Sequence, residues 1–170
     1  MCYDIDDNDK LSKKLYKEAI KWNRVDLSAS IDTGLYLPVD GRVVFVNTTK
    51  SEGKFIVVET ECYEYLPENV GKPLEDRTGR KVYIIYMHLN SILVEPSNDD
   101  DENGILEKGT LIALSGNTGG SVIAHLHYGI FLADAGYRSF SNNVPWDWNR
   151  DWTTTIDPML FYNSVVVENN

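Results

Sequence analysis

The sequence predicts a mostly β domain: an antiparallel sheet or sandwich with one α-helix at its N-terminal end. Three observations carry that expectation. From residue 42 onward, short runs rich in Val, Ile and Tyr recur between turns of Gly, Asn and Asp. One stretch alone, residues 10–22, repeats apolar residues at helical spacing. The chain has 170 residues, 42% of them hydrophobic, which suits one domain with a real core.

Taken in order, residues 1–22 read as an acidic tail and then a helix. Asp9 stands where an N-cap belongs, and Leu11, Leu15 and Ala19 form the apolar stripe. Residues 23–163 read as the β domain. Pro38-Val39-Asp40-Gly41 has the composition of a turn. Strands are expected at 43–46, 55–58, 82–89, 111–114 and 125–131, short apolar runs divided by Gly and Asn turns and mostly rich in Val, Ile and Tyr. Pro67, Gly71, Pro73 and Gly79 mark residues 61–81 as an excursion from a hairpin. Asp99, Asp100, Asp101 and Glu102 lie in an acidic loop near 97–104. It lacks the alternating acid spacing of a calcium-binding helix-loop-helix and reads as a solvated loop. Residues 164–170 read as a tail.

The charge narrows the partners. A formal net charge of -10 repels nucleic acid and anionic membrane surfaces. No apolar run approaches the roughly 20 residues of a membrane span. No secretory leader is visible. Cys2 and Cys62 are too few for a disulfide framework, and whether they pair is open.

The chemistry concentrates in the Gly-rich turn Ser115-Gly116-Asn117-Thr118-Gly119-Gly120 and the strand that follows it. Successive side chains of a strand alternate, so His125 and His127 share one face and Leu126 takes the other. Imidazole is both the commonest metal ligand and the usual proton carrier near neutrality. Trp146, Trp148 and Trp152 crowd the C-terminal part. Such density can line a groove or cap the end of a sandwich.

Three segments together resemble the lysostaphin/LytM-type zinc endopeptidases, which cut peptidoglycan and have a duplicated-hybrid-motif β fold. They are Tyr86-Met87-His88-Leu89, the turn from Gly109 to Gly119, and His125-Leu126-His127-Tyr128. Gly34 to Val44 and the closing Ile156-Asp157-Pro158 are similar to the same family, and the likeness runs over residues 22–162. The resemblance implies zinc as cofactor, cell-wall peptide as partner, and an envelope or extracellular location. It implies that His127 is a zinc ligand, as the second His of His-x-His. It gives His125 and His88 the work on substrate and on the attacking water. Tyr86, Asn117, Trp146 and Trp148 become candidates to line the groove.

The family's remaining ligands come from a His-x-x-x-Asp motif, and there this sequence departs. Asp26 stands at the Asp position and Trp22 at the His position. Indole nitrogen is a donor with no lone pair for a metal. Catalytic zinc normally keeps three protein ligands and one open position for water. Asp26 and His127 supply two. Three readings follow. The domain binds peptidoglycan or a peptide, or regulates a partner hydrolase, without cutting. Or it remains a metallopeptidase with a rearranged ligand set that adds His125, His88 or a nearby acid. Or it is a structural module of an envelope or phage-tail assembly.

Overall fold

The computed structural model describes residues 24–60, 80–97, 101, 104–134 and 155–156. The expected helix at 10–22, Trp22, residues 61–79 of the excursion and the tail at 164–170 lie outside the described residues. So do Trp146, Trp148 and Trp152, together with Cys2 and Cys62.

Ten strands follow in order: β1 Arg24–Ser28, β2 Gly34–Tyr36, β3 Gly41–Thr49, β4 Gly53–Thr60, β5 Arg80–Leu89, β6 Ser91–Ile92, β7 Ile105–Leu106, β8 Leu111–Leu114, β9 His125–Asp134 and β10 Thr155–Ile156. All five strands expected from composition are present, and the described elements are all β. The large sheet runs β1-β9-β5-β4-β3-β7, with β10 pairing to β9 beyond the end of β1. A smaller sheet runs β2-β8-β6. Every pairing is antiparallel.

The two faces of the large sheet carry two separate cores. On one face Val25, Leu27, Ile56, Val58, Val82, Ile84, Tyr86, Leu126, Tyr128 and Ile130 pack with Leu35, Ile112 and Ala113 of the small sheet. On the other, Val44, Phe55, Val57, Tyr83, Ile85, Met87 and Phe131 form a second cluster. This is why β5 reads as an almost unbroken apolar run, Val82 to Met87: its side chains are buried on both sides of the sheet. The period of two also places Asp26, His125 and His127 on the second face, since their sequence neighbours Val25, Leu27, Leu126 and Tyr128 all belong to the first core.

Candidate metal centre

Strand register brings the site together from distant parts of the chain. Asp26 pairs with His127 and Ser28 with His125 across β1 and β9. On the opposite side of β9, Met87 pairs with His127. Asp26 and His127 are thus direct cross-strand partners with side chains on one face, the geometry in which such pairs interact. His127 Nδ1 lies 2.7 Å from Asp26 Oδ1, and His125 Nε2 lies 3.6 Å from the same oxygen.

His88 reaches this face by breaking the alternation. Two residues before it, Tyr86 points into the first core, and regular pleating would send His88 the same way. Between β4 and β5, however, Ile56 pairs with Tyr86 and Lys54 with Leu89. Two steps on β4 oppose three on β5, so β5 carries one extra residue, a bulge of the kind that re-aims a side chain. His88 takes up the difference with a positive φ of 62°, unusual for a residue with a Cβ. Leu89 then returns to the first core.

The bulge is held from outside. The His88 N–H donates to Glu52 O at 3.0 Å, and His88 O accepts from the Thr118 N–H. The Thr118 hydroxyl donates to Leu89 O at 2.8 Å and accepts from the Lys54 N–H at 3.0 Å. This three-way junction closes only because Gly53 and Gly119 stand where backbones touch. A Cβ at Gly119 would collide with Gly53, one at Gly53 would collide with Thr118, and both glycines have positive φ.

Two backbone carbonyls choose the tautomers. His88 Nδ1 is 2.9 Å from Thr118 O, and His125 Nδ1 is 2.8 Å from Ile123 O. A carbonyl oxygen can only accept, so Nδ1 carries the hydrogen in both rings and Nε2 presents a lone pair. Ser121 Oγ, 3.1 Å from His125 Nδ1, donates to Ile123 O as well. The ring centroids lie 4.8 Å apart for His88 and His125, 5.8 Å for His88 and His127, and 6.4 Å for His125 and His127. Burial pushes the His88 imidazole below its ordinary pKa. The Thr118 carbonyl opposes that shift, the neighbouring imidazoles of His125 and His127 add to it, and Asp26 opposes it.

The donor set suits a borderline metal such as zinc. One nitrogen from each of His88, His125 and His127 lies within 4.8 Å of the other two. Donors on a tetrahedral ion with arms of ~2.0–2.1 Å are spaced by roughly 3.4 Å. The Asp26–His125 separation is close to that, and the 2.7 Å Asp26–His127 bond would open slightly to admit an ion.

The model of Peptidase family M23 matches residues 21–139, most of the chain and all three histidines. The chain belongs to peptidase family M23. It is 35% identical over 104 residues to an "Uncharacterized metalloprotease" of Haemophilus influenzae, an alignment covering 61% of this chain and 17% of that protein. It is 26% identical over 129 residues to "Peptidoglycan DD-endopeptidase ShyA" of Vibrio cholerae, covering 76% of this chain and 24% of that one. The chain therefore spans under a quarter of the length of these curated relatives. Among solved structures, LytU superposes with a TM-score of 0.51 at 20% identity over 86% of this chain and 80% of that one, which shows a shared fold.

Within this M23 domain the candidate residues separate. Asp26, His88, His125 and His127 converge, and Asn117 is exposed on the turn that carries Thr118. Tyr86, named as a groove candidate, is corrected: its ring is fully buried in the first core, edge-on to Tyr128 at 5.2 Å between centroids, and offers a ligand no surface. Burial pushes its phenol pKa upward. Sequence reasoning passed over Thr118 and Glu52. The signal for Thr118 was its place between Asn117 and Gly119 in the Gly-rich turn. Nothing in the sequence marks Glu52 apart from a hairpin turn. No helix among the described residues is long and apolar enough to cross a membrane.

Proposed function

We propose that this domain recognises cell-wall peptide at the cell envelope and hydrolyses it poorly or not at all. One observation carries the reading. The family pattern asks four tasks of histidine: two zinc ligands and two groups that handle substrate and the attacking water. The chain has three histidines in all, and all three sit in the one cluster. If His88 and His125 keep the substrate tasks, Asp26 and His127 hold the metal alone. Two ligands bind zinc weakly, and without the ion nothing brings the pKa of the attacking water toward about 7. If either histidine turns to the metal, a proton carrier is lost. The match to a peptidoglycan endopeptidase over 76% of this chain supports the substrate class. The β domain of residues 23–163 would present the surface, with Asn117 as a polar contact and Trp146 and Trp148 as further candidates. A partner hydrolase is the regulatory form of the same proposal.

The test pairs sedimentation with purified cell wall against dye release from the same material. Binding without release is expected. Trp22→His supplies the fourth histidine that the family pattern uses, and it should give measurable release. Rapid release by the native chain would sink the proposal. A second reading, a metallopeptidase with a rearranged ligand set, is favoured by the 3.6 Å approach of His125 Nε2 to Asp26 Oδ1. It predicts tight zinc and release without any substitution.

A further inference from the structure

We infer that Asp26, His88, His125 and His127 form a closed, four-donor metal site in which both substrate-handling histidines have become ligands. The inference rests on the reading of the site as non-hydrolytic, but not on wall binding. Three features point to it. First, the candidate donors among the described residues number four, and a structural zinc site is four-coordinate with no position left for water. Second, His88 and His125 each give Nδ1–H to a backbone carbonyl, Thr118 O at 2.9 Å and Ile123 O at 2.8 Å. That is the outer-shell anchoring typical of metal-bound imidazoles, and it leaves each Nε2 as an unprotonated donor. Third, the three imidazoles already stand close together, with Asp26 against two of them. The three nitrogens lie within 4.8 Å of one another, and Asp26 Oδ1 is within 3.6 Å of two of the rings. The carbonyl of Thr118 belongs to the junction that fixes the His88 bulge, so His88 is held in place before any ion arrives.

A closed shell also reconciles a complete-looking cluster with the lost hydrolysis. An open site binds an exogenous anion on its free position, and a filled one does not. Imidazole and carboxylate donors suit zinc and, by the usual order of affinities, cobalt more weakly.

The experiment uses the full chain loaded with zinc for X-ray absorption and with cobalt(II) for visible spectroscopy. Three imidazoles at the metal, and a cobalt spectrum unchanged by azide, are expected. His88→Asn is the informative variant, because asparagine tolerates the positive φ and so keeps the bulge. It and His125→Ala should each weaken zinc about tenfold or more, at least the loss seen for outer-shell partners, and make the cobalt spectrum respond to azide. Unchanged far-ultraviolet circular dichroism shows that each variant is folded. Two or fewer imidazoles, an azide-sensitive native spectrum, or a His88→Asn chain with native zinc affinity would each overturn the inference. So would the failure of the native chain to bind either ion. Sedimentation with cell wall in the presence of a chelator is read separately. Wall binding that persists there, with an open or absent metal site, leaves the proposed function standing and removes the closed shell. A closed shell without wall binding does the reverse.

Discussion

The two faces of β9 are built by opposite rules. On one, Leu126, Tyr128 and Ile130 drop into the core between the sheets, each at the position that alternation assigns. On the other, His125 and His127 follow the same alternation but meet Asp26 and an out-of-pattern His88 instead of apolar partners. The core face is maintained by many equivalent contacts, any of which a neighbour can partly replace. The histidine face depends on a few exceptions: one bulge, one positive φ and two glycines that permit backbone contact. Stability should therefore reside on the first face and ligand geometry on the second.

The sharpest way to break that contrast is to delete matched atoms from each side. Leu126→Ala removes a fully buried side chain from the first core. It should cost about 2–5 kcal/mol, as large-to-small core substitutions do. His127→Ala, one residue along, should change the stability of the metal-free chain by less than about 1 kcal/mol, since its carboxylate partner is 64% exposed and solvent weakens such pairs. Urea unfolding of both variants checks this. Comparable losses would mean that the histidine face also holds the fold together.

A subtler break moves geometry without touching either core. Gly119→Ala places a Cβ against the Gly53 backbone at a φ of 78°, in a turn with no histidine of its own. The strain should amount to about 1–3 kcal/mol. It should also displace Thr118, and with it the carbonyl that fixes the His88 tautomer. Nitrogen-15 spectra of the imidazoles should show His88 losing its single-tautomer signature while His127 is unchanged. A His88 spectrum like that of the native chain would show that the glycine contact supports folding alone.

The same division explains what could be seen in the sequence. Alternation and composition found β3, β4, β5, β8 and β9, because each carries several apolar residues within a short span. They missed β1, where Arg24-Val25-Asp26-Leu27-Ser28 offers only two apolar positions, and β2, β6, β7 and β10, which are two or three residues long. Such short strands are defined by their partners rather than by their own pattern. The shared face of His125 and His127 was legible from spacing alone. Asp26 and His88 entered through the family motif, and alternation by itself would have buried His88 with Tyr86. The misplacement of Tyr86 has the same root: the residue two before a bulge keeps the regular face that the bulged residue leaves.

The smallest expected effect concerns the turn that holds the His88 backbone. Burial works against charge on Glu52, yet hydrogen bonds from the Ser51 and Thr49 hydroxyls and from its own backbone N–H, aided by His88, hold its carboxyl below the usual range. A group whose pKa is lower in the folded chain stabilises it above the unfolded value, and that stabilisation disappears as pH falls through the folded value. Glu52 should thus contribute its full share above the ordinary glutamate range, and progressively less as pH falls below it. Because the side chain is largely solvated, the share is small. Glu52→Gln keeps a hydrogen-bond acceptor but cannot titrate. The difference in unfolding free energy between native and Glu52→Gln chains should rise with pH through the acid range and level off above the ordinary glutamate range. A difference that is flat across this range would assign Glu52 a purely geometric part in holding His88. One that grows toward acid pH would contradict the depressed carboxyl itself.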